Sequence, residues 1–149
     1  MNQKKENGPL GKQSIYFHDA PHLLSWASIA GKKEGEGPLG EYFDQVIEDA
    51  AFGQDTWEEG ESEFMKQACE LALKKAKYMP EEIRYLFGGD LLGQLIATTF
   101  GIKELDIPLF GLYGACSTIG EALSLAAMTI AGGYADTCLA TASSHFGGA

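Results

Sequence analysis

Three cysteines, three histidines and eleven basic residues are all that this 149-residue chain carries of the groups that most often hold metals, disulfides or polyanions. Cys69, Cys116 and Cys138 are odd in number and irregularly spaced, with no CxxC pair, which argues against a zinc site, a redox dithiol or a disulfide framework and fits a reducing compartment. His18, His22 and His145 are scattered and share no ligand spacing with another histidine, cysteine or carboxylate cluster, so neither a metal nor a cofactor is expected. Twenty-one acidic residues outweigh the basic ones and leave a net charge of −10, which repels phosphate backbones and anionic lipid. Nucleic acid is therefore not an expected partner. Long apolar runs are also missing. The longest, residues 122–131, is about half the ~20 residues that cross a bilayer, and residues 1–12 are too polar and glycine-rich for a signal peptide. The sequence reads as a soluble protein, or one that reaches a membrane only through partners.

What is present is enough apolar material, 45% of the residues, to bury the core of one ordinary domain. Residues 1–13 lack periodicity and read as a flexible tail, with one folded unit over 14–149. Residues 24–30 read as a strand running into a polar, glycine-rich loop over 31–40, and residues 41–51 as a short helix with Phe43 and Ile47 inward, closed by Gly53. A second helix is expected to start at Ser62, its N-cap, and to bury Met65, Ala68, Cys69, Ala72 and Ala76. Pro80 opens a brief helical turn, and residues 85–88 form a short apolar run suited to a buried parallel strand. Then follow a helix over 91–100 stopped by Gly101, a strand over 108–113, a small-residue helix over 117–131 ended by Gly132-Gly133, and a strand over 137–141. This alternation implies an α/β fold: a mostly parallel sheet with helices on both faces and right-handed crossovers. Ligands of such sheets bind beyond the carboxyl ends of the strands, where the 31–40 loop, the Gly89-Asp90 turn and the 114–117 turn all fall.

Cys116 is the most informative residue. It sits between a strand and the first turn of a helix, where the dipole favours thiolate and backbone N–H groups can receive an oxyanion or a ligand carboxylate. Cys69 and Cys138 fall on core-facing positions. Asp90 ends an apolar strand, where it either serves a site or caps the helix that follows. Lys32 and Lys33 suit an anion if their loop folds over the sheet, and are otherwise only solvated. His145, after the last strand, is a candidate partner for Cys116 in a Cys–His pair.

The strand over 108–113, the Gly114-Ala115-Cys116-Ser117 turn and the small-residue helix resemble the thiolase and ketoacyl-synthase superfamily. More narrowly, the chain is similar to the stage V sporulation protein AD family of spore-forming bacteria. The matching stretches are Gly11-Lys12-Gln13, Lys33-Glu34, Gly37-Pro38-Leu39-Gly40, Gly89-Asp90-Leu91-Leu92, Tyr113-Gly114-Ala115-Cys116-Ser117-Thr118 and Ala142-Ser143-Ser144-His145. The resemblance implies a thiolase-like half used without catalysis: binding of dipicolinic acid (pyridine-2,6-dicarboxylate), its uptake into the forespore and its release at germination. It also implies work with other stage V sporulation A proteins, peripheral to the inner spore membrane. Lys33, Asp90 and Cys116 match pocket positions of that family. Lys33 and the N–H groups around Cys116 suit carboxylates, whereas Asp90 has to act through the lysine or a water. A thiolase-like subunit has two similar halves, and this chain stops about where the first ends. The implied second half leaves pairing with that half, or self-association, as the expected cover for an apolar face. The alternative is an acyl transferase with Cys116 as nucleophile, for which no base is evident.

Overall fold

The computed structural model describes residues 7–91 and 94–144. Its centre is a three-stranded parallel sheet in the order β6 (Leu109–Gly111), β5 (Tyr85–Asp90), β7 (Cys138–Ser143). Along β5 the side chains alternate between two faces, as a pleated strand requires. Leu86, fully buried, packs with Met65, Cys69 and Leu73 of α2 (Trp57–Ala76) and with Ile102 of α3 (Ile96–Ile102). Phe87, one residue on, packs with Ala122 and Ala126 of α4 (Thr118–Ala131). The expected α/β architecture, a parallel sheet with helices on both faces, is what the chain adopts.

Two smaller sheets complete it. Gly8–Leu10 (β1) pairs antiparallel with Ser14–Tyr16 (β2), so part of the stretch expected to be unstructured is a hairpin. Ile29–Gly31 (β3) pairs in parallel with Gln45–Ile47 (β4), and a single helical turn, Lys32–Gly35 (α1), follows β3 within the expected loop.

That pairing corrects two readings. The strand expected over 24–30 is confined to its last two residues and Gly31. Leu23, Leu24 and Trp26 are exposed, and the segment is tied instead through Ser25, whose Oγ donates to the Ala72 carbonyl of α2 at 2.7 Å. Of the helix expected over 41–51 only a single 3-10 turn, Gly40–Tyr42, forms, and a strand follows it. Val46 and Ile47 are β-branched and go to the β3 ladder, and Asp44 ties the entry to β4 by accepting from the Ser28 N–H at 2.9 Å and pairing with Lys75 of α2 at 2.9 Å. Both partners are distant in sequence, so local spacing could not reveal them.

Helix α2 begins five residues before Ser62. Its N-cap is Thr56, whose hydroxyl accepts from the Glu59 N–H at 3.2 Å while the Glu59 carboxylate accepts from the Thr56 N–H, closing a capping box. Ser62 lies inside the helix and bonds back to the Glu58 carbonyl. Thr56→Ala is expected to lower stability by about 1 kcal/mol in urea denaturation, with no change where Ser62→Ala is made instead. Helix α3, by contrast, starts later than expected and contains Gly101 rather than stopping at it. A Cβ there would lie 2.6 Å from the Ser62 carbonyl oxygen, so this glycine serves the close crossing of α2 and α3. The expected turn at Pro80, the strands at 85 and 137 and the helix at 117–131 occur within one to three residues of their predicted bounds.

Candidate functional site

Because β5, β6 and β7 run in parallel, their carboxyl ends share one edge. Leu112 extends the β6 pairing, its N–H donating to the Gly88 carbonyl at 2.8 Å, and the chain then turns through Ala115–Ser117 into α4. Ala115 takes φ 47°, a left-handed conformation that costs a non-glycine residue about 1 kcal/mol or more. The turn presents Cys116 to solvent at the head of an open groove of about 700 Å³ that runs along α4 past Ser117, Glu121, Ser124, Leu125 and Met128.

The polar groups at this turn were only partly legible. Ser117 Oγ lies within bonding distance of the Gly114 carbonyl (2.7 Å) and of the Glu121 carboxylate, which folds back over Gly114 into the space a Cβ would occupy. Sequence reasoning missed Glu121, although its i, i+4 spacing from Ser117 was the available signal. The charged side chain nearest the turn is thus a carboxylate. Among the described residues no lysine, arginine or histidine lines the groove. The Ser117 hydroxyl and N–H both donate to the Gly114 carbonyl, and the Thr118 N–H donates to the Ala115 carbonyl, so the turn uses these donors itself. Ser124 donates to the Gly120 carbonyl at 2.7 Å. Thr118 is also new to the site: it is buried beneath the turn and its hydroxyl has no hydrogen-bond partner among the described residues.

Asp90 is buried, and its carboxylate is engaged by α3. Oδ1 accepts from the Leu95 N–H at 3.2 Å, and Oδ2 accepts from the Thr98 N–H at 3.0 Å and the Thr98 hydroxyl at 2.7 Å. It therefore acts as a side-chain cap for the helix that begins at Ile96. By strand alternation Asp90 shares the Leu86 face, the α2–α3 side, whereas the Cys116 turn leads into α4 on the other. The two backbones are neighbours along the strand edge, since a Cβ on Gly89 would meet Leu112 and Thr118, but the Asp90 carboxylate turns away to α3. Lys33 is exposed on α1, which packs on β3 and β4. Lys32 beside it pairs with Glu48 at 2.9 Å, both side chains largely in water. The structure thus brings the Asp90 and Cys116 backbones to one edge and leaves Lys33 on α1, beside the separate β3–β4 sheet. His145 lies outside the described residues. A further polar contact on the α2 side, Ser143 Oγ donating to the buried Glu61 at 2.6 Å, had no signal in the sequence beyond an acidic residue within an amphipathic helix.

Burial sorts the three cysteines. Cys69 is 2% exposed, and burial pushes its thiol up to about 11 against a hydrogen bond with Thr141. Cys138 is raised by burial too, opposed by a hydrogen bond involving the Tyr85 backbone. In the folded chain, a chromogenic disulfide reagent is expected to modify Cys116 at least tenfold faster than Cys69, and Cys116→Ala abolishes the fast phase. Equal rates at the two thiols would contradict this placement.

No helix among the described residues is long and apolar enough to cross a membrane. The family described as stage V sporulation protein AD matches residues 11–149. Stage V sporulation protein AD of Bacillus subtilis (strain 168) is 36% identical over 135 residues, covering 91% of this chain and 40% of the relative. The chain therefore spans less than half the length of that relative. The Cys116 turn, its helix and the strands that carry them all fall within the matched residues, and on that match the chain belongs to the stage V sporulation protein AD family.

Proposed function

We propose that this sporulation-family chain forms one wall of a non-catalytic dipicolinate site centred on the Cys116 turn. In this reading the whole protein takes up dipicolinic acid into the forespore and releases it at germination. It works peripherally at the inner spore membrane with other stage V sporulation A proteins. The observation that carries the reading is the turn itself: Cys116 stands exposed where β6 leads into α4, at the carboxyl edge of the parallel sheet and at the head of an open groove. Family membership supplies the link to sporulation.

The same geometry says what the wall lacks. A planar dianion needs positive charge, and the charged group at the turn is Glu121. Lys33, exposed on α1, is the proposed cation of this chain, reaching the ligand when the site is complete. Asp90 supports the edge through α3. The other wall is assigned to a second, thiolase-like half, and α4 has the surface for it: Ile119, Leu123, Leu125 and Met128 are all exposed along it.

Titration calorimetry with dipicolinate tests the reading. Binding is expected to weaken by about 1–3 kcal/mol in Lys33→Ala and in Cys116→Ala. A chain that releases no heat, alone and joined to the remainder of its protein, would overturn it. Acyl transfer through Cys116 is the second reading, favoured by the accessible sulfur and the left-handed Ala115 beside it. It requires Cys116 to gain an acyl group on incubation with acyl-CoA, read by intact mass. An unmodified thiol excludes it.

A further inference from the structure

The outer side of the α2–α3 pair carries a second groove, of about 330 Å³, remote from the Cys116 turn in sequence and on the other face of the sheet. Ile96 and Phe100 of α3 line it, 50% and 66% exposed, and give the groove an apolar floor. Its shape is held by the close crossing at Gly101 against the Ser62 carbonyl, which leaves the two helices no room to slide together.

Around these apolar side chains the rim is negative. Glu58, Glu59, Glu63 and Glu104 line the groove, with Lys66 as the cation among the described lining residues, and Lys66 is already paired with Glu104. The helix dipole accounts for Glu58 and Glu59 in the first turn of α2, and the capping box engages Glu59. Glu63 accepts from the Gln67 amide at 2.7 Å and Glu104 pairs with Lys66, which leaves Glu58, Glu59 and Glu63 as unneutralised negative charges around two large apolar side chains. The Glu58 carboxylate has no ion-pair partner among the described residues.

We propose that this groove docks a basic, apolar-anchored segment of a partner protein, with an apolar side chain seated on Phe100 and Ile96 and lysine or arginine side chains on Glu58 and Glu63. Charge complementarity selects this occupant. A second copy of a chain with net charge −10 brings like charges together, and anionic lipid or nucleic acid meets the same repulsion. The proposal is independent of the dipicolinate reading, since the groove shares no residue with the Cys116 turn.

The test uses a fluorescein-labelled amphipathic peptide with one arginine face and one leucine face, followed by anisotropy at physiological salt. Phe100→Ser and, separately, the Glu58→Gln/Glu63→Gln double variant are each expected to weaken binding about tenfold, as loss of an anchor or of close charge pairs does. Glu36→Gln/Glu81→Gln, which removes two exposed charges elsewhere, is expected to leave it unchanged. Equal weakening by both charge pairs, or full binding by Phe100→Ser, would reduce the effect to general attraction by an acidic protein and overturn the proposal. So would a concentration-dependent dimer that Phe100→Ser abolishes, because the occupant would then be a second copy. Phe100 is exposed, so its variant folds, and the charge variants test the groove independently.

Discussion

Asp90→Ala is expected to lower the unfolding free energy by about 3–5 kcal/mol, the range for removing one partner of a buried, hydrogen-bonded charge network. The carboxylate is 5% exposed and accepts from the Leu95 N–H, the Thr98 N–H and the Thr98 hydroxyl. Alanine strands all three donors where water has little access. It also frees a segment already under tension, since Gln94 and Leu95 both sit at positive φ (51° and 71°), which costs each about 1–2 kcal/mol. Asp90→Asn keeps the shape and one acceptor oxygen, and is expected to lose about half as much. Urea denaturation of the three proteins checks the order, and a loss under about 1 kcal/mol for alanine would refute the capping role. The asparagine variant also separates the two functions considered for this residue. If Asp90 served a ligand directly, Asn would cost affinity while sparing stability. The structure predicts the reverse.

Gly89→Ala is expected to be as severe, by about 3 kcal/mol or more, at the upper end of what overpacking costs. A Cβ on Gly89 would overlap the Leu112 carbonyl oxygen and lie 3.1 Å from the Thr118 methyl, and the overlapped atom is backbone that cannot rotate away. The clash falls on the link between β6 and the Cys116 turn. The variant should therefore expose Cys116 and its groove to disorder before it unfolds the α2–α3 side. Hydrogen exchange would show protection lost first across residues 112–122 and retained in α2. A variant with unchanged stability, or one in which α2 loses protection first, would mean that Gly89 does not hold the turn.

These two neighbours divide the labour at one strand end: Gly89 seats the Cys116 turn on the α4 side, and Asp90 anchors α3 on the opposite side. Change at either is expected to reach the Cys116 turn through the backbone of this strand end. This matters for reading mutational data on the family, because lost binding in an Asp90 variant is expected from a weakened strand edge as well as from a lost contact.

The chain announces its central sheet in its own pattern. The apolar run at 85–88 ending in Gly88-Gly89, the small-residue stretch before Gly132-Gly133 and the run from Thr137 are each continuous and bounded by glycine or charge, so local periodicity was enough to place β5, α4 and β7. Cys116 was legible for the same reason, since a strand-to-helix turn is a local event. The pairing of β3 with β4 was not. Val46 and Tyr42 follow a helical spacing, but Asp44 finds its partners in Ser28 and Lys75, and a ladder with a distant strand outweighs a weak local preference. Nor could spacing tell that Asp90 turns its carboxylate to α3, that Glu121 lies over the Cys116 turn, or that Lys33 sits on a helical turn beside another sheet. Sequence alone thus determined the class of fold, the family and the strand-to-helix turn that carries Cys116. Which polar groups share the sheet edge at that turn was decided by tertiary structure, because it depends on the face each strand residue presents and on the helices packed against that face, and neither is a property of neighbours along the chain.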